Sequence, residues 1–162
     1  MVGTEGSTEG NPRKVEASFR VKGESKVSIS AEVWRRYEVL LDTAKKLHDA
    51  GYNEAAIVLA QTACEVCTER VMVAAAAAGG KPRSKLQLSN YNLDRTNVRK
   101  LYTEVTGQDI RQDDPGRWDA FQEHVKRRHK VVHRGQPATA EDASASIKAV
   151  EYIIGRMLSN SP

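Results

Sequence analysis

The sequence predicts an all-α fold, an antiparallel bundle of about five helices with a small N-terminal extended or β-hairpin arm. Apolar residues recur at three- and four-residue spacing through most of residues 30–160. One long segment is apolar on nearly every side, as a central helix would be. Glycine or proline separates these segments by short to medium links, which favour antiparallel packing. At 162 residues the chain is long enough for one domain with a single core.

The N-terminal residues divide into two parts before the helical domain, residues 30–160. Residues 1–14 have almost no apolar content and predict a disordered tail. Residues 15–29 alternate apolar and polar side chains, which predicts an extended arm or hairpin. Because a lone hairpin is marginal in water, we expect this arm to lie against the helices, a second protomer or a partner chain.

Two long helices should open the domain. Ser30 is the expected N-cap of an amphipathic helix that Gly51 ends. Asn53 is the expected N-cap of the nearly apolar helix, which covers residues 55–78. A double glycine ends that second helix.

Three further helices should follow a polar loop. A shorter helix over residues 93–105 ends at a glycine, and the sequence Asp113–Gly116 is a turn signal. The next helix should begin around Trp118. Thr139 and Asp142 have the spacing of a capping box, which begins the last amphipathic helix.

The charge pattern favours a phosphate-bearing or acidic partner. The formal net charge is +4 and the pI about 9.1, and Lys and Arg cluster in residues 81–85, 95–100 and 126–134. The alternative is that each cluster is the solvated face of an ordinary helix. No run of eighteen apolar residues predicts a membrane span, and no secretory signal is recognised at the N-terminus, so the expected compartment is the cytoplasm.

The most unusual segment is Lys126–Gly135, near the end of the fourth long helix. It holds five Lys or Arg side chains and two of the four histidines, His129 and His133. We expect Gly135 to end the helix in the left-handed conformation, which leaves His133 beside unpaired carbonyls that favour an imidazolium. Arg128 and His133 should lie about 7.5 Å apart along the helix axis and about 140° apart around it. One helix therefore cannot easily aim both at one atom.

This segment resembles the motif of a known family. Arg128, the polar His129, three residues and His133, followed by Gly135, resemble the Arg-(four to six residues)-His signature of the HEPN superfamily, and a looser likeness covers residues 31–158. The resemblance implies an all-α bundle that forms a homodimer, in which two motifs meet in a cleft. Many members are metal-independent ribonucleases without a cofactor. Others are non-catalytic modules that dimerise and bind a nucleotide or an acidic partner.

The resemblance also implies roles for individual side chains. Arg128 would hold and neutralise the scissile phosphate of RNA, and His133 would act as base or acid during attack of the ribose 2′-hydroxyl. His129 would bind the phosphate or orient His133. The expected RNA-binding residues are the cations of the motif and of the loop before the third helix: Lys126, Arg127, Lys130, Arg134, Lys81, Arg83 and Lys85. No metal is expected.

Several partners are compatible with that family. They are RNA, a second copy of the chain, an antitoxin or nucleotidyltransferase-type partner, and a larger defence assembly. Some toxin members carry a tyrosine two residues after the histidine for modification by such a nucleotidyltransferase, whereas this chain has Gly135.

A purely structural interpretation of the motif is also open. Arg128 could form an ion pair with a carboxylate. The candidates are Glu123 and Asp119 on its own helix, Asp42 elsewhere, and Glu65 and Glu69 on the apolar helix. His133 would then only cap the carbonyls at the helix end. His129 and His133 share a helix face and could bind zinc, but no third ligand is evident on that side.

Two other features have competing interpretations. Cys64 and Cys67 have the spacing of a redox or zinc motif, but their place in an apolar helix favours simple core filling. Tyr91 lies in the basic loop and is a candidate for stacking on a base.

Overall fold

The computed structural model describes the backbone of residues 17–20, 26–29 and 31–159, and the side chains of residues 36–159 other than Arg83. The all-α prediction is confirmed. Within the described residues the helices are α1 (Ala31–Asp49), α2 (Asn53–Ala78), α3 (Thr96–Thr106), α4 (Ile110–Asp113), α5 (Pro115–Arg134) and α6 (Ala140–Leu158). The predicted tail, residues 1–14, lies outside the described residues.

Two short strands precede the helices. Strand β1 (Ala17–Arg20) pairs with β2 (Lys26–Ile29) in antiparallel register, with Ala17 opposite Ile29. β2 lies against α2 and β1 against α6. The backbone of the arm therefore lies on the bundle.

The core is organised around α2, as its all-round apolar sequence predicts. α2 packs along α1 and α6, while α5 packs along α6 and crosses α2. Cys64 and Cys67 are buried, free thiols in this core, so the prediction of core filling is confirmed. Burial raises the pKa of Cys64 to about 12 and that of Cys67 well above its usual value.

The predicted helix boundaries are wrong at the starts of α2, α3 and α5. α3 begins at Thr96, three residues after the predicted start. α2 has Tyr52 at its N-cap position, and the Asn53 side chain instead contacts His48 (3.2 Å) and the Ala138 carbonyl (3.4 Å). α5 begins at Pro115 instead of Trp118. The Asp114 carboxylate caps it by accepting from the Arg117 amide at 3.1 Å.

The same correction changes the segment before α5. Residues 110–113 form the single turn α4, so the predicted turn is the junction of two helices. Proline at the first position of α5 is favourable because no intrahelical partner exists there for the missing N–H. The capping box at the start of α6 is confirmed, with Thr139 accepting from the Asp142 amide at 3.1 Å.

Candidate functional site

Helix α5 is held in place by its first half and is open at its end. Trp118, Phe121 and His124 lie on one line of the helix and are buried. Val132 lies on the same line, yet 44% of its surface is exposed. Gly135 ends the helix with φ 60° and ψ 26°, as predicted, and its N–H donates to the Val131 carbonyl at 3.2 Å. The last two turns of α5 therefore extend beyond the core that covers its first three turns.

Arg128 lies at the border between the covered and the open part of this line. Its side chain is half-buried, and its Nε is fully buried without a hydrogen-bond acceptor. Among the residues that the structure describes, no carboxylate forms an ion pair with it. The guanidinium is therefore held near the surface without the counter-charge that a purely structural role would supply.

Three of the five carboxylates proposed for a structural pairing have other partners. Glu123 binds Lys126 at 2.7 Å, and this ion pair lowers the pKa of the Glu123 carboxyl. Asp42 binds Lys46 at 2.7 Å on α1, and Glu65 accepts from the Gln61 amide at 2.7 Å.

The two histidines of the motif lie together at the end of α5. The rings of His129 and His133 have centroids 4.6 Å apart with 46° between their planes, and both side chains are exposed. His133 is in the last turn, as predicted. On the helix these rings stand about 100° and 140° around from Arg128. One protomer thus presents the imidazoles and the guanidinium to different sides.

The pair of imidazoles has no third metal ligand nearby among the described residues. In the part of the chain that the structure describes, no group of three His, Cys, Asp or Glu side chains is placed to hold a metal ion. Tetrahedral zinc sites in proteins use three or four such ligands.

The four basic residues around the histidines divide into two pairs. Arg127 binds Asp142 of α6, with Nε 3.0 Å from Oδ1, and Lys126 is held by its ion pair one turn away. Lys130 and Arg134 are exposed and form no ion pair within the described residues. These two cations are therefore the most available for an anionic ligand.

Two depressions flank the ridge formed by Lys126 and Lys130. The smaller, about 170 Å³, lies against the α5–α6 link and includes Arg127 and Asp142. The larger, about 350 Å³, lies on the other side of α5. Its walls are Asp94, Val125, Lys126, His129, Lys130 and Arg134. Three of the predicted RNA-binding residues and one predicted site histidine thus meet in one surface depression.

Neither described cation of the loop before α3, Lys81 or Lys85, lines either depression. Lys81 binds the Glu104 carboxylate at 2.9 Å and its carbonyl at 3.2 Å, which fixes it on α3 and lowers the pKa of Glu104. Lys85 is exposed, and the side chain of Arg83 lies outside the described residues. Tyr91 is half-buried, and its hydroxyl donates to the Leu86 carbonyl.

His124 was not among the candidate residues named from the sequence. It is completely buried one turn before Arg128, and its Nε2 is 2.9 Å from Oε1 of Gln61. Gln61 donates to Glu65, so a polar chain crosses from α5 to α2. Burial, together with the smaller effect of the neighbouring Arg127 and Arg128 charges, lowers the pKa of His124 to about 3. The available signal was its spacing of one turn from Phe121 on the apolar line.

Fold and site together define a helical bundle with an open, basic helix end and two histidine rings in tilted contact. Comparison with protein-family models, with curated proteins and with solved structures finds no match to this chain. None of the described helices combines the length and the apolar character needed to cross a bilayer.

Proposed function

We propose that this chain is a metal-independent endoribonuclease of HEPN type that acts as a homodimer. The observation that carries the proposal is Arg128, whose buried Nε–H has no acceptor and whose charge has no carboxylate partner in the described residues. Leaving a buried donor unpaired costs about 1–3 kcal/mol. A phosphate oxygen would supply both the acceptor and the opposite charge, and guanidinium suits phosphate by its shape and permanent charge.

The proposed chemistry is transfer of a phosphoryl group from a 5′-oxygen to the neighbouring ribose 2′-oxygen within the RNA chain. The ribose 2′-oxygen forms a bond to phosphorus while the bond from phosphorus to the 5′-oxygen breaks. One imidazole takes the 2′-hydroxyl proton and another acid supplies a proton to the leaving oxygen; His133 serves in one of these roles. Arg128 neutralises the charge that develops on the phosphate oxygens. The products are a 2′,3′-cyclic phosphate and a 5′-hydroxyl.

A second copy of the chain supports this chemistry in two ways. It would bring Arg128 of one protomer toward His133 of its partner, which one helix cannot do because the two side chains point about 140° apart. It would also cover apolar surface. Val132 is 44% exposed, and α2 has a half-exposed apolar line formed by Val58, Leu59, Val66 and Val73.

The first experiment is cleavage of a mixed-sequence RNA in excess EDTA. Wild-type protein should cleave, whereas Arg128→Ala and His133→Ala should each lose at least about a hundredfold in rate. Arg111→Ala, an exposed arginine on the short helix α4, is the matched control and should cleave at the wild-type rate. Equal rates for wild type and both site variants would refute the proposal.

The second experiment tests whether the site is shared between protomers. In an equal mixture of Arg128→Ala and His133→Ala, random exchange makes half of the dimers mixed, and each mixed dimer contains one intact Arg–His pair. Activity should return to about one quarter of the wild-type value. A mixture as inactive as its components, although subunit exchange has been shown by mass, would refute the composite site.

The alternative is a non-catalytic module that dimerises and binds a nucleotide or an acidic partner protein. It is favoured by the available charges of Lys130 and Arg134 beside a depression of about 350 Å³. That alternative predicts thermal stabilisation by ligand without any RNA cleavage product. A small acidic protein that co-purifies with the chain would point to an antitoxin-like partner.

A further inference from the structure

The larger depression beside α5, called here the Asp94 groove, has the size and the walls of a nucleotide site. Its volume is about 350 Å³, within the range of about 300–1,000 Å³ that is usual for small-ligand sites. Val125 gives it an apolar wall, and the exposed ring of His129 lies at its side. Lys130 and Arg134 give it positive charge. An aromatic base with an attached phosphate matches this combination of walls.

Asp94 gives the groove a fixed hydrogen-bond acceptor. Its Oδ1 accepts from Gln122 Nε2 of α5 at 3.2 Å, its amide donates to Asn92 Oδ1 at 3.0 Å, and its carbonyl accepts from Arg99 at 3.0 Å. These three bonds tie Asp94 to its own loop, to α3 and to α5. A carboxylate has about four acceptor positions, so most remain for a ligand after the bond from Gln122.

The hydrogen-bonding pattern of the Asp94 carboxylate determines which nucleic-acid base fits the groove. A carboxylate accepts two parallel hydrogen bonds when two donors lie side by side on the ligand. Guanine presents such a pair, N1–H and the N2 amino group, on its Watson–Crick edge. Adenine and cytosine have an amino group next to an unprotonated ring nitrogen, and uracil has a single N–H between two carbonyls. Only guanine therefore fits Asp94 with two bonds and no repulsion.

We propose that the Asp94 groove binds a guanine nucleotide of the RNA substrate, with the base edge on Asp94 and a phosphate on Lys130 and Arg134. The base would lie beside His129, whose ring centroid is 4.6 Å from that of His133, with the two rings tilted. The bound guanine would therefore adjoin the phosphate at which the motif acts. This inference rests on the proposed function for its RNA substrate, but the nucleotide site itself can be tested without cleavage.

The test is isothermal titration calorimetry of the full-length chain with the monophosphates of guanosine, adenosine and inosine. Guanosine monophosphate should bind at least about tenfold more tightly than adenosine monophosphate, the discrimination expected of a two-bond contact to a base. Inosine monophosphate, which keeps N1–H but lacks the amino group, should fall between them. Asp94→Asn should lose the preference for guanosine monophosphate, because the side-chain NH2 group of asparagine would face a hydrogen-bond donor of guanine. Asp49→Asn, an exposed change at the end of α1, should keep it.

The ligand series and the RNA assay separate the two proposals. Equal affinity of the wild-type chain for the three nucleotides would overturn the guanine site, whether or not Asp94→Asn folds. RNA cleavage that is indifferent to guanine at the cleaved position and unchanged in Asp94→Asn would overturn it too, and would leave the ribonuclease standing. A guanine preference in binding without any RNA cleavage would support the groove and refute the ribonuclease.

Discussion

The buried imidazole of His124 should make folding stability depend on pH in a range where few other groups titrate. Its folded-state pKa is about 3, whereas an unfolded histidine has a pKa of about 6.5. Below pH 6.5 the unfolded chain gains a proton that the folded chain does not bind. The free energy of unfolding should therefore decrease as pH falls from about 6.5 toward 3, by about 1.4 kcal/mol per pH unit for this one group.

The magnitude at an accessible pH follows from that slope. Between pH 6.5 and pH 5 the loss is about 2 kcal/mol, a large part of the stability of a small domain. The described carboxylates with lowered pKa values, such as Glu54 and Asp142, also stabilise the fold. That stabilisation is lost only below their unfolded-state pKa values of about 4. The interval from pH 6.5 to 5 consequently isolates His124 from them.

The assay is urea unfolding followed by circular dichroism at several pH values and one protein concentration. His124→Gln should have lower stability at pH 7.5 but a clearly shallower loss between pH 6.5 and 5 than the wild type. His129→Gln, which removes an exposed imidazole, is the matched control and should retain the wild-type slope. If wild type and His124→Gln lost stability in parallel over this interval, the account of a buried neutral imidazole would be wrong.

Three further predictions concern the cap, the core and the open helix end. Thr139→Ala removes the capping box of α6 and should lower the free energy of unfolding by about 1 kcal/mol, measured in urea. Cys64 and Cys67 should react with a thiol reagent only at the rate of global unfolding, because both are buried and their pKa values are raised; rapid reaction of the native chain would contradict this. Val132→Asp should convert the proposed dimer to monomers in light scattering while helix content is retained, and an unchanged mass would place the interface elsewhere.

Local patterns in the sequence predicted the parts of α5 and α6 that depend on local physics. The left-handed Gly135 and the Thr139 capping box follow from backbone sterics and a hydrogen bond over three residues, and both are confirmed. The sequence did not predict the Asp114 cap, because Pro115 lies within a turn signal there, whereas in the structure it begins α5. Helical periodicity from Trp118 and Phe121 accounts for the position of Arg128 on the buried line, because it fixes direction around the helix axis.

Long-range contacts were not predictable in the same way. Periodicity shows which side of α5 faces the core, but not which helix covers it, so the bond from His124 to Gln61 across 63 positions could not be derived. The same limit applies to Asp94, which reaches α5 from a loop through Gln122. Such contacts depend on how helices cross, which is set by the whole core and not by one segment.

Helix α5 presents its outward-facing cations and histidines on one side and Arg128 on another. The proposed role of Arg128 therefore depends on whether the chain forms a dimer. Lys130, Arg134 and the two histidines lie on outward-facing positions, whereas Arg128 lies on the line that continues from the core to Val132. A solitary basic surface would not need a guanidinium on that line, where burial of Nε without an acceptor is unfavourable. A partner surface that covers Val132 and admits a phosphate would make the same position favourable. Measuring mass and RNA cleavage on one sample therefore tests the physical reason for Arg128 as well as its proposed role.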